Sequence, residues 1–427
     1  MRRIFFYLFL LFCVLDPSGE PVWASVDRSP RRLAPQAASS LQIRVKLADA
    51  LSQVQLRGFD LKLSESQGRE PLASLDKMSE WEFRCHEGRI RATSSRLDGK
   101  TLDLAEPVAV QTPAGFLSFR GLPYRETVKI YSNGSFCEVV NEVDIEKYLD
   151  GLVNAEFSSR WNEEAIAAQV VAARTYAYYK IKHVRESEPE AHYDVDSTVI
   201  DQVYDGSIKE DFRASKSVER TRGWILTVGR NSAAPIKAFY HSTCGGSTDT
   251  PERVWGEHYP GLNHGVPCPY CTSSPKFRWN FELRASDVVS AFRRGASVDG
   301  ASSGWRKDWP AVLKLGRLGD IQVLGDGRSG RASKVRTFWR DARGGWIELA
   351  VSSARFRGWV GSDRLKSTGF EVVPLIGGAG VWRVQGRGFG HGVGMCQYGA
   401  KTMGERGFNV SSILRHYYPD AELRKLW

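Results

Sequence analysis

A single glutamate is the first candidate for catalysis. Glu156 lies in the stretch GLVNAEFSSRW, in the predicted loop before a long helix, next to Phe157 and close to Trp161. A carboxyl group beside aromatic rings and near few charges has a raised pKa, which suits a general acid. Arg174, on the apolar stripe of that helix, needs a carboxylate partner because an unpaired buried guanidinium is costly. The spacing fits a catalytic Glu156–Arg174 pair and equally a purely structural salt bridge.

Four potential metal ligands follow in two closely spaced pairs. Two residues stand between the ligands of each pair, and 23 residues separate the pairs. This spacing is typical of a tetrahedral structural zinc site. In an oxidising compartment Cys268 and Cys271 could instead form a disulfide, or Cys244 could join one of them. The predicted zinc ligands are His241, Cys244, Cys268 and Cys271, with His258 and His264 as substitutes from the same loop.

A glycine-rich run near the C-terminus is the third candidate. It has glycine at every second position from Gly386 to Gly394 and continues as MCQYG. Such a backbone can lie flat against a ligand or against a neighbouring strand. We expect His391, Gln397 and Tyr398 to line a cleft for a polar ligand, with a glycine-rich structural turn as the alternative.

Short alternating segments and one long helix must position these residues. Polar–apolar alternation from Leu41 onward predicts β-strands, and Asn133-Gly134 predicts a hairpin turn. The stretch from Trp161 to about His183 has helical spacing and an N-cap at Asn162. Its apolar face is formed by Ile166, Val170, Ala173, Ala177 and Ile181.

The predicted fold class is α+β, mainly β, with a central catalytic helix and a β-rich insertion. Further strands are expected around 199–204, 223–228 and 236–241, and a terminal helix over 410–416. The predicted segments are a signal peptide (1–24), a linker (25–40), an N-terminal β-rich region (41–135), a catalytic core with the His/Cys cluster (136–275), a variable β-rich insertion (276–385) and a C-terminal glycine-rich motif and helix that complete the core (386–427).

Composition and targeting signals limit the function classes. The chain has 427 residues, 42% of them hydrophobic and 25% charged, which is close to the average for soluble globular proteins. Lys and Arg outnumber Asp and Glu by 59 to 49 without forming a basic block, so we expect no nucleic-acid partner. By net charge alone, the basic balance would fit nucleic acid, anionic lipid or an anionic polysaccharide equally well. Serine hydrolase, NTPase and common metalloprotease motifs are absent.

The N-terminus has the pattern of an export signal. Arg2 and Arg3 precede an apolar run over 4–15, and Ala24 is a small residue at a suitable cleavage position. The run is short for a membrane span, which leaves an uncleaved N-terminal anchor as the alternative. We therefore expect an exported protein with no membrane span beyond this segment.

Together these segments resemble the SpoIID/LytB family, the group of stage II sporulation protein D and the amidase enhancers. The resemblance covers about 124–265 and 386–423, and it includes the spacing from Glu156 to Arg174. Two departures stand out: Cys396 replaces the serine usual in the GHGVGMSQ motif, and 276–385 is only loosely family-like. The matching stretches are VVNEVDIEKYLDGLVNAEFSSRWNEEAIAAQVVAARTYA, DQVYDG, AFYHSTCGGSTDTPERVW and GRGFGHGVGMCQYGAKTMGERGFNVSSILRHYYPDAEL.

The resemblance implies an exported cell-envelope enzyme, periplasmic or extracytoplasmic. Sporulation-type members are lytic transglycosylases that cleave MurNAc–GlcNAc bonds in peptidoglycan strands stripped of stem peptides. It assigns the catalytic acid to Glu156, an accompanying arginine to Arg174 and a zinc site to the HSTCGG segment. The enhancer branch implies the alternative, a non-catalytic wall-binding module with a cell-wall amidase as partner. Lytic cleavage needs one proton-transferring carboxyl group, whereas a retaining glycosidase needs two carboxylates.

Overall fold

The computed structural model describes ten ranges of the chain: 31–32, 41–65, 73–94, 101–112, 115–229, 232–299, 317–325, 330–341, 344–376 and 380–427. The predicted signal peptide (1–24) lies outside the described residues. Of the predicted linker (25–40), only Arg31–Arg32 is described.

Strands account for most of the regular structure in these ranges. In chain order they are β1 (Arg31–Arg32), β2 (Gln42–Leu51), β3 (Val54–Glu65), β4 (Ala73–His86), β5 (Arg89–Thr93), β6 (Thr101–Ala105), β7 (Val108–Gln111), β8 (Leu117–Phe119), β9 (Leu122–Tyr124), β10 (Thr127–Asn133), β11 (Phe136–Asp144), β12 (Val195–Asp196), β13 (Trp224–Val228), β14 (Tyr240–His241), β15 (Arg278–Arg284), β16 (Arg317–Gly325), β17 (Ala332–Arg340), β18 (Trp346–Ser352), β19 (Phe370–Pro374), β20 (Val381–Arg387), β21 (Met395–Cys396) and β22 (Ala421–Lys425).

The helices are grouped around the middle and the C-terminal end of the described chain. They are α1 (Ile145–Glu156), α2 (Glu163–Ser187), α3 (Phe212–Arg220), α4 (Pro251–Trp255), α5 (Ala285–Asp299), α6 (Ser353–Val360), α7 (Gln397–Glu405) and α8 (Val410–Tyr417), with 3₁₀ turns at Gly206–Lys209 and Cys271–Ser273.

The N-terminal strands form one eleven-stranded sheet. Its main path runs β12-β2-β11-β10-β7-β3-β4-β5-β6, with β8 and β9 beside β3. Strand β4 also packs against β10 and β11, so the sheet folds back on itself. A disulfide between Cys85 and Cys137 links β4 to β11 across this fold. The predicted hairpin is confirmed, because β10 and β11 pair in register around Asn133-Gly134.

Helix α2 lies at the centre of the molecule between two hydrophobic cores. The predicted face with Ile166, Val170 and Ala173 packs into the core of the N-terminal sheet. The opposite face, which includes Ala168 and Val171, packs against the C-terminal segments. An α-helix that is apolar on both sides is buried as a core element. The Asn162 side chain caps its first turn, as predicted.

The insertion (residues 276–385) contains a third core of its own, within Leu283–Val384. Two three-stranded antiparallel sheets, β15-β20-β19 and β16-β17-β18, pack here with α5 and α6. The α+β, mainly β fold class with a central helix and a β-rich insertion is therefore confirmed. Strands predicted over 199–204 and most of 236–241 are wrong: the first segment has no strand, and the second has only β14. The first segment is instead held by side-chain hydrogen bonds: the Ile200 amide donates to Thr198 Oγ1, and the Tyr176 hydroxyl donates to Asp201 Oδ1.

Candidate functional site

Glu156 is the last residue of helix α1, whereas the sequence predicted a loop at this position. The Asp144 side chain caps the start of this helix by accepting from the amides of Glu146 and Lys147. Its C-terminal residue, Glu156, accepts a 2.7 Å hydrogen bond from the Val203 amide through Oε1. The Gln397 side chain donates a 3.2 Å bond to the Glu156 carbonyl oxygen. Backbone and carboxylate are therefore both held by other chain segments.

A close helix–loop contact brings Val203 to Glu156. Gly151, in the middle of α1, faces the Gly206 carbonyl so closely that an added Cβ would lie 2.2 Å from that oxygen. Gln202 then fixes the loop, accepting 3.0 Å from the Tyr148 hydroxyl and donating 3.0 Å to the Tyr240 hydroxyl. These contacts explain why glycine is accepted in a helix interior.

Glu156 opens onto a cleft of ≈ 620 Å³. One wall is aromatic: the ring centroids of Phe157 and Trp161 lie 4.4 Å apart, and those of Trp161 and Tyr398 lie 5.0 Å apart. Gln397 and Tyr398 line the cleft with Glu156, as predicted for a ligand site. The full lining is Asn154, Ala155, Glu156, Phe157, Ser158, Ser159, Arg160, Trp161, Ile208, Lys209, Glu210, Asp211, Ser242, Gln397 and Tyr398.

The other two carboxylates of the cleft have structural partners. Glu210 forms a 2.6 Å ion pair with Arg125. Asp211 caps α3 and accepts from the side chains of Ser159 and Asn154. Burial opposes ionisation of Asp211, yet these hydrogen bonds hold its pKa below the ordinary value. Burial raises the pKa of Glu156, only partly offset by the Val203 amide. Among the lining carboxylates, Glu156 is thus the one set up to carry a proton.

Arg174 does not pair with Glu156. It is fully buried and binds Glu146 at the other end of α1, with Nη2 to Oε2 at 2.6 Å. It also donates to Thr221 and to the carbonyls of Trp224 and Val218. Ten residues of helix separate Glu146 from Glu156, roughly 15 Å along the axis. The spacing suggested a Glu156–Arg174 pair, but Glu146, a second acidic residue of α1, is the partner of Arg174 on α2.

We expect Arg174→Ala to destabilise the protein by about 3–5 kcal/mol, since it leaves the buried Glu146 carboxylate without its cation. Chemical denaturation of the full chain measures this loss. The control is Glu146→Leu combined with Arg174→Met, which removes both charges and should cost less than Arg174→Ala alone. An Arg174→Ala protein as stable as the wild type would contradict the structural role.

Four buried cysteines form the candidate metal site. Their Sγ atoms all lie within 4.8 Å of one another, with 3.4 Å between Cys244 and Cys271. Zn–S bonds of about 2.3 Å in a tetrahedron place sulphur atoms roughly 3.8 Å apart, so the cluster is close enough to hold a metal. The four residues are Cys244, Cys268, Cys271 and Cys396.

The fourth sulphur of the cluster belongs to Cys396, and His241, which the sequence predicted as a ligand, is not part of the cluster. The Cys396 sulphur accepts from the amides of Cys244 at 3.2 Å and Gly399 at 3.4 Å. His241 lies in β14, where its Nδ1 bonds to the Val393 carbonyl at 3.0 Å. Parallel pairing of β14 with β21 sets His241 beside Cys396 in register, but its ring nitrogens are not among the four clustered ligand atoms.

The glycine-rich run packs against protein backbone. An added Cβ at Gly394, which has φ +69°, would lie 2.0 Å from the Phe239 carbonyl oxygen. Of the two alternatives for a flat backbone, the neighbouring-strand contact is the one found here. His391, predicted to bind ligand, is not among the residues that line the cleft: its Nε2 donates to the Tyr240 carbonyl at 2.9 Å. Burial lowers the pKa of His391 to about 3, so it stays neutral.

Several residues that support the site were not predicted from the sequence. Ile145, Tyr148, Leu149 and Leu152 have helical spacing behind Asp144, a signal that could have located α1. Nothing local to the sequence marks Val203, because its role is played by a backbone amide.

The sequence of this chain is similar to those of known proteins. The family model SpoIID, described as Stage II sporulation protein, matches residues 133–228. Stage II sporulation protein D of Bacillus subtilis is 30% identical over 296 residues, covering 66% of this chain and 75% of the relative. An uncharacterised protein of Brachyspira hyodysenteriae is 30% identical over 318 residues, covering 74% of this chain and 76% of the relative. The amidase enhancer of Bacillus subtilis is 28% identical over 302 residues, covering 64% of this chain but only 40% of that longer relative.

Proposed function

Because the chain belongs to the SpoIID family, we propose that it is a lytic transglycosylase that cleaves MurNAc–GlcNAc bonds of peptidoglycan strands stripped of stem peptides. Glu156 is the general acid and base of this reaction. The observation that carries the proposal is a carboxyl group with a raised pKa in a cleft whose other carboxylates are tied to structural partners.

The reaction needs only this one carboxyl group. Protonated Glu156 donates its proton to the glycosidic oxygen as the bond from that oxygen to C1 of MurNAc breaks. The resulting carboxylate then takes the proton of the 6-hydroxyl of the same MurNAc while O6 bonds to C1. The products are a 1,6-anhydro end and a free GlcNAc hydroxyl, and no water is consumed.

The rest of the cleft suits a saccharide. Trp161 and Tyr398 offer partly exposed aromatic rings for the apolar faces of sugar rings, and Gln397 and Ser242 offer polar groups. The Val203 hydrogen bond keeps the Glu156 carboxyl in one orientation. We assign substrate binding to Gln397 and Tyr398 on this basis.

Arg174 supports catalysis through the fold. Its pair with Glu146 joins α2 to α1, the helix that carries Glu156. Glu146 also accepts from the Gly223 amide and the Trp427 indole, so the start of α1 is fixed from several sides. Arg174 is therefore a positioning residue.

The cysteine cluster is proposed to hold one structural zinc ion. Thiolates are preferred zinc ligands, and Cys244, Cys268, Cys271 and Cys396 complete a four-coordinate shell. A closed shell leaves no position for water, so the ion would supply folding energy and no catalysis. Cys396 adjoins Gln397, so the site anchors one wall of the cleft.

We further propose that the protein is exported to the cell envelope. The Cys85–Cys137 disulfide supports this, since such bonds persist in oxidising compartments. Within the described residues no helix is both long and apolar enough to cross a membrane.

A second function is a non-catalytic wall-binding module that enhances a cell-wall amidase. The similarity to the amidase enhancer of Bacillus subtilis favours it. The same cleft would then bind glycan without cleaving it, and an amidase would be the partner.

Mass spectrometry of purified glycan strands after incubation with the protein separates these functions. The transglycosylase produces new ends carrying a 1,6-anhydro ring, one water lighter than hydrolysed ends. Strands recovered at their original length in repeated incubations would support the enhancer function instead.

A further inference from the structure

The positive charge of the protein is concentrated in the insertion. Residues 276–385 contain 20 Lys and Arg but 10 Asp and Glu, and this excess equals the formal net charge of +10 of the whole chain. Outside the insertion, positively and negatively charged residues are therefore equal in number. Such an excess of positive charge attracts polyanions.

A second concave site, of ≈ 700 Å³, lies where the insertion meets the glycine-rich run. We call it the groove. It is formed by β15, β20, β19 and the facing ends of β16 and β17. Its lining is Arg278, Trp279, Asn280, Val323, Gly325, Gly330, Arg331, Ala332, Gly369, Phe370, Glu371, Gln385, Gly386 and Arg387.

Two arginines lie directly opposite each other on neighbouring strands of the sheet that lines the groove. Arg278 and Arg387 are register partners of antiparallel β15 and β20, and both are exposed. Like charges at directly opposed positions destabilise a sheet. Glu371 is the one carboxylate in the lining, and no ion pair joins it to either arginine among the described residues. A bound anion would remove this repulsion.

A third arginine is built into the floor. Arg331 is 5% exposed and donates Nη2 to the Cys244 carbonyl at 2.5 Å and Nη1 to Thr368 at 3.4 Å. Its buried Nε finds no acceptor among the described residues. This Nε has almost no exposed surface that a ligand could reach, so Arg331 contributes positive charge to the floor of the groove.

The groove and the catalytic cleft share two chain segments. Gly386 and Arg387 line the groove at the start of the run that ends with Gln397 and Tyr398 in the cleft. Ser242 lines the cleft two residues before Cys244, whose carbonyl binds Arg331. These two segments connect the groove to the cleft that contains Glu156.

We propose that the groove binds the lactyl carboxylate of a MurNAc residue in a peptide-free glycan strand through Arg278 and Arg387, with Arg331 adding positive charge from the floor. Guanidinium groups match carboxylates through paired hydrogen bonds. This inference rests on the glycan substrate proposed above, because a stem peptide would convert that carboxylate to an amide.

The test measures binding alone, by fluorescence anisotropy of end-labelled peptide-free strands with the full-length Glu156→Gln protein. In that background Arg278→Gln combined with Arg387→Gln should weaken binding about tenfold or more, since charged hydrogen bonds are lost. The matched control, Arg293→Gln with Arg340→Gln, removes two exposed arginines of the insertion outside the groove and should change binding less than about twofold.

A second measurement needs no groove variant. In this measurement the lactyl carboxylates of the glycan strands are reduced to alcohols. The reduced strands should bind the protein with the unaltered groove weakly, with the affinity that intact strands have for the double variant. Equal binding of reduced and intact strands, or equal loss in the control pair, would overturn the proposal. Stronger competition by polyglycerol phosphate or phosphatidylglycerol vesicles than by intact strands would assign the groove to a phosphate and also overturn it. Cleavage by the parent protein is measured separately, so failure here leaves the role of Glu156 intact.

Discussion

The Glu156→Gln protein is expected to fold normally and to lose glycan cleavage, with the rate falling by about 10²–10⁴-fold. Glutamine keeps the shape of the side chain, and its oxygen can still accept the Val203 hydrogen bond. It removes only the transferable proton, so the loss is one of chemistry and leaves binding of strands intact. The rate of formation of 1,6-anhydro ends, measured by mass spectrometry, gives the effect.

The matched control is Glu186→Gln, which makes the same change on an exposed turn of α2. The wild-type rate should also fall with rising pH, because a general acid works only while protonated. Burial raises the pKa of Glu156, which moves this fall above the ordinary glutamate range. A glutamine variant that releases anhydro ends at the wild-type rate would place the acid elsewhere.

The second large effect concerns the cysteine cluster. We expect protein purified without added metal to contain about one zinc per chain and Cys396→Ala to contain almost none. Zinc binding in small structural sites contributes about 10–16 kcal/mol, so its loss should lower the melting temperature sharply. Activity should fall as well, through displacement of Gln397 and the cleft wall.

His241→Gln is the informative comparison for this site. It changes the residue that the sequence suggested as a ligand, while the structure keeps it outside the four sulphur atoms. Zinc content should therefore stay near one equivalent. Metal-free protein with a Cys244–Cys271 disulfide, found by a thiol count, would rule out the zinc site.

The sequence predicted most elements that have a strong local period. Helix α2, the β10–β11 hairpin and the terminal helix α8 all occur where alternation, caps and turn residues placed them. Helix α1 was missed although its apolar residues have helical spacing, because Gly151 in its interior is a weak helix former. Local patterns decide local structure, and that is where prediction succeeded.

The site was harder to predict because its partners are distant in sequence. Arg174 required a carboxylate, and the sequence analysis chose Glu156 because nothing in the sequence showed that Glu146 lies next to Arg174. Cys396 stood out only as a departure from the family motif, since its neighbours in the cluster are more than 120 residues away. Residues that are distant in sequence but close in space produce no periodic pattern in the sequence.

The contact between Gln397 and Glu156 also has a consequence for the order of folding. The two residues are 241 positions apart, and the whole insertion lies between them. Contacts of such long range form late, because closing a long loop costs entropy before it is rewarded. A chain that emerges from its N-terminus can complete the eleven-stranded sheet early, while Glu156 still lacks one wall of its cleft. Folding in this order would delay the proposed cleavage of glycan until the C-terminal helices have docked.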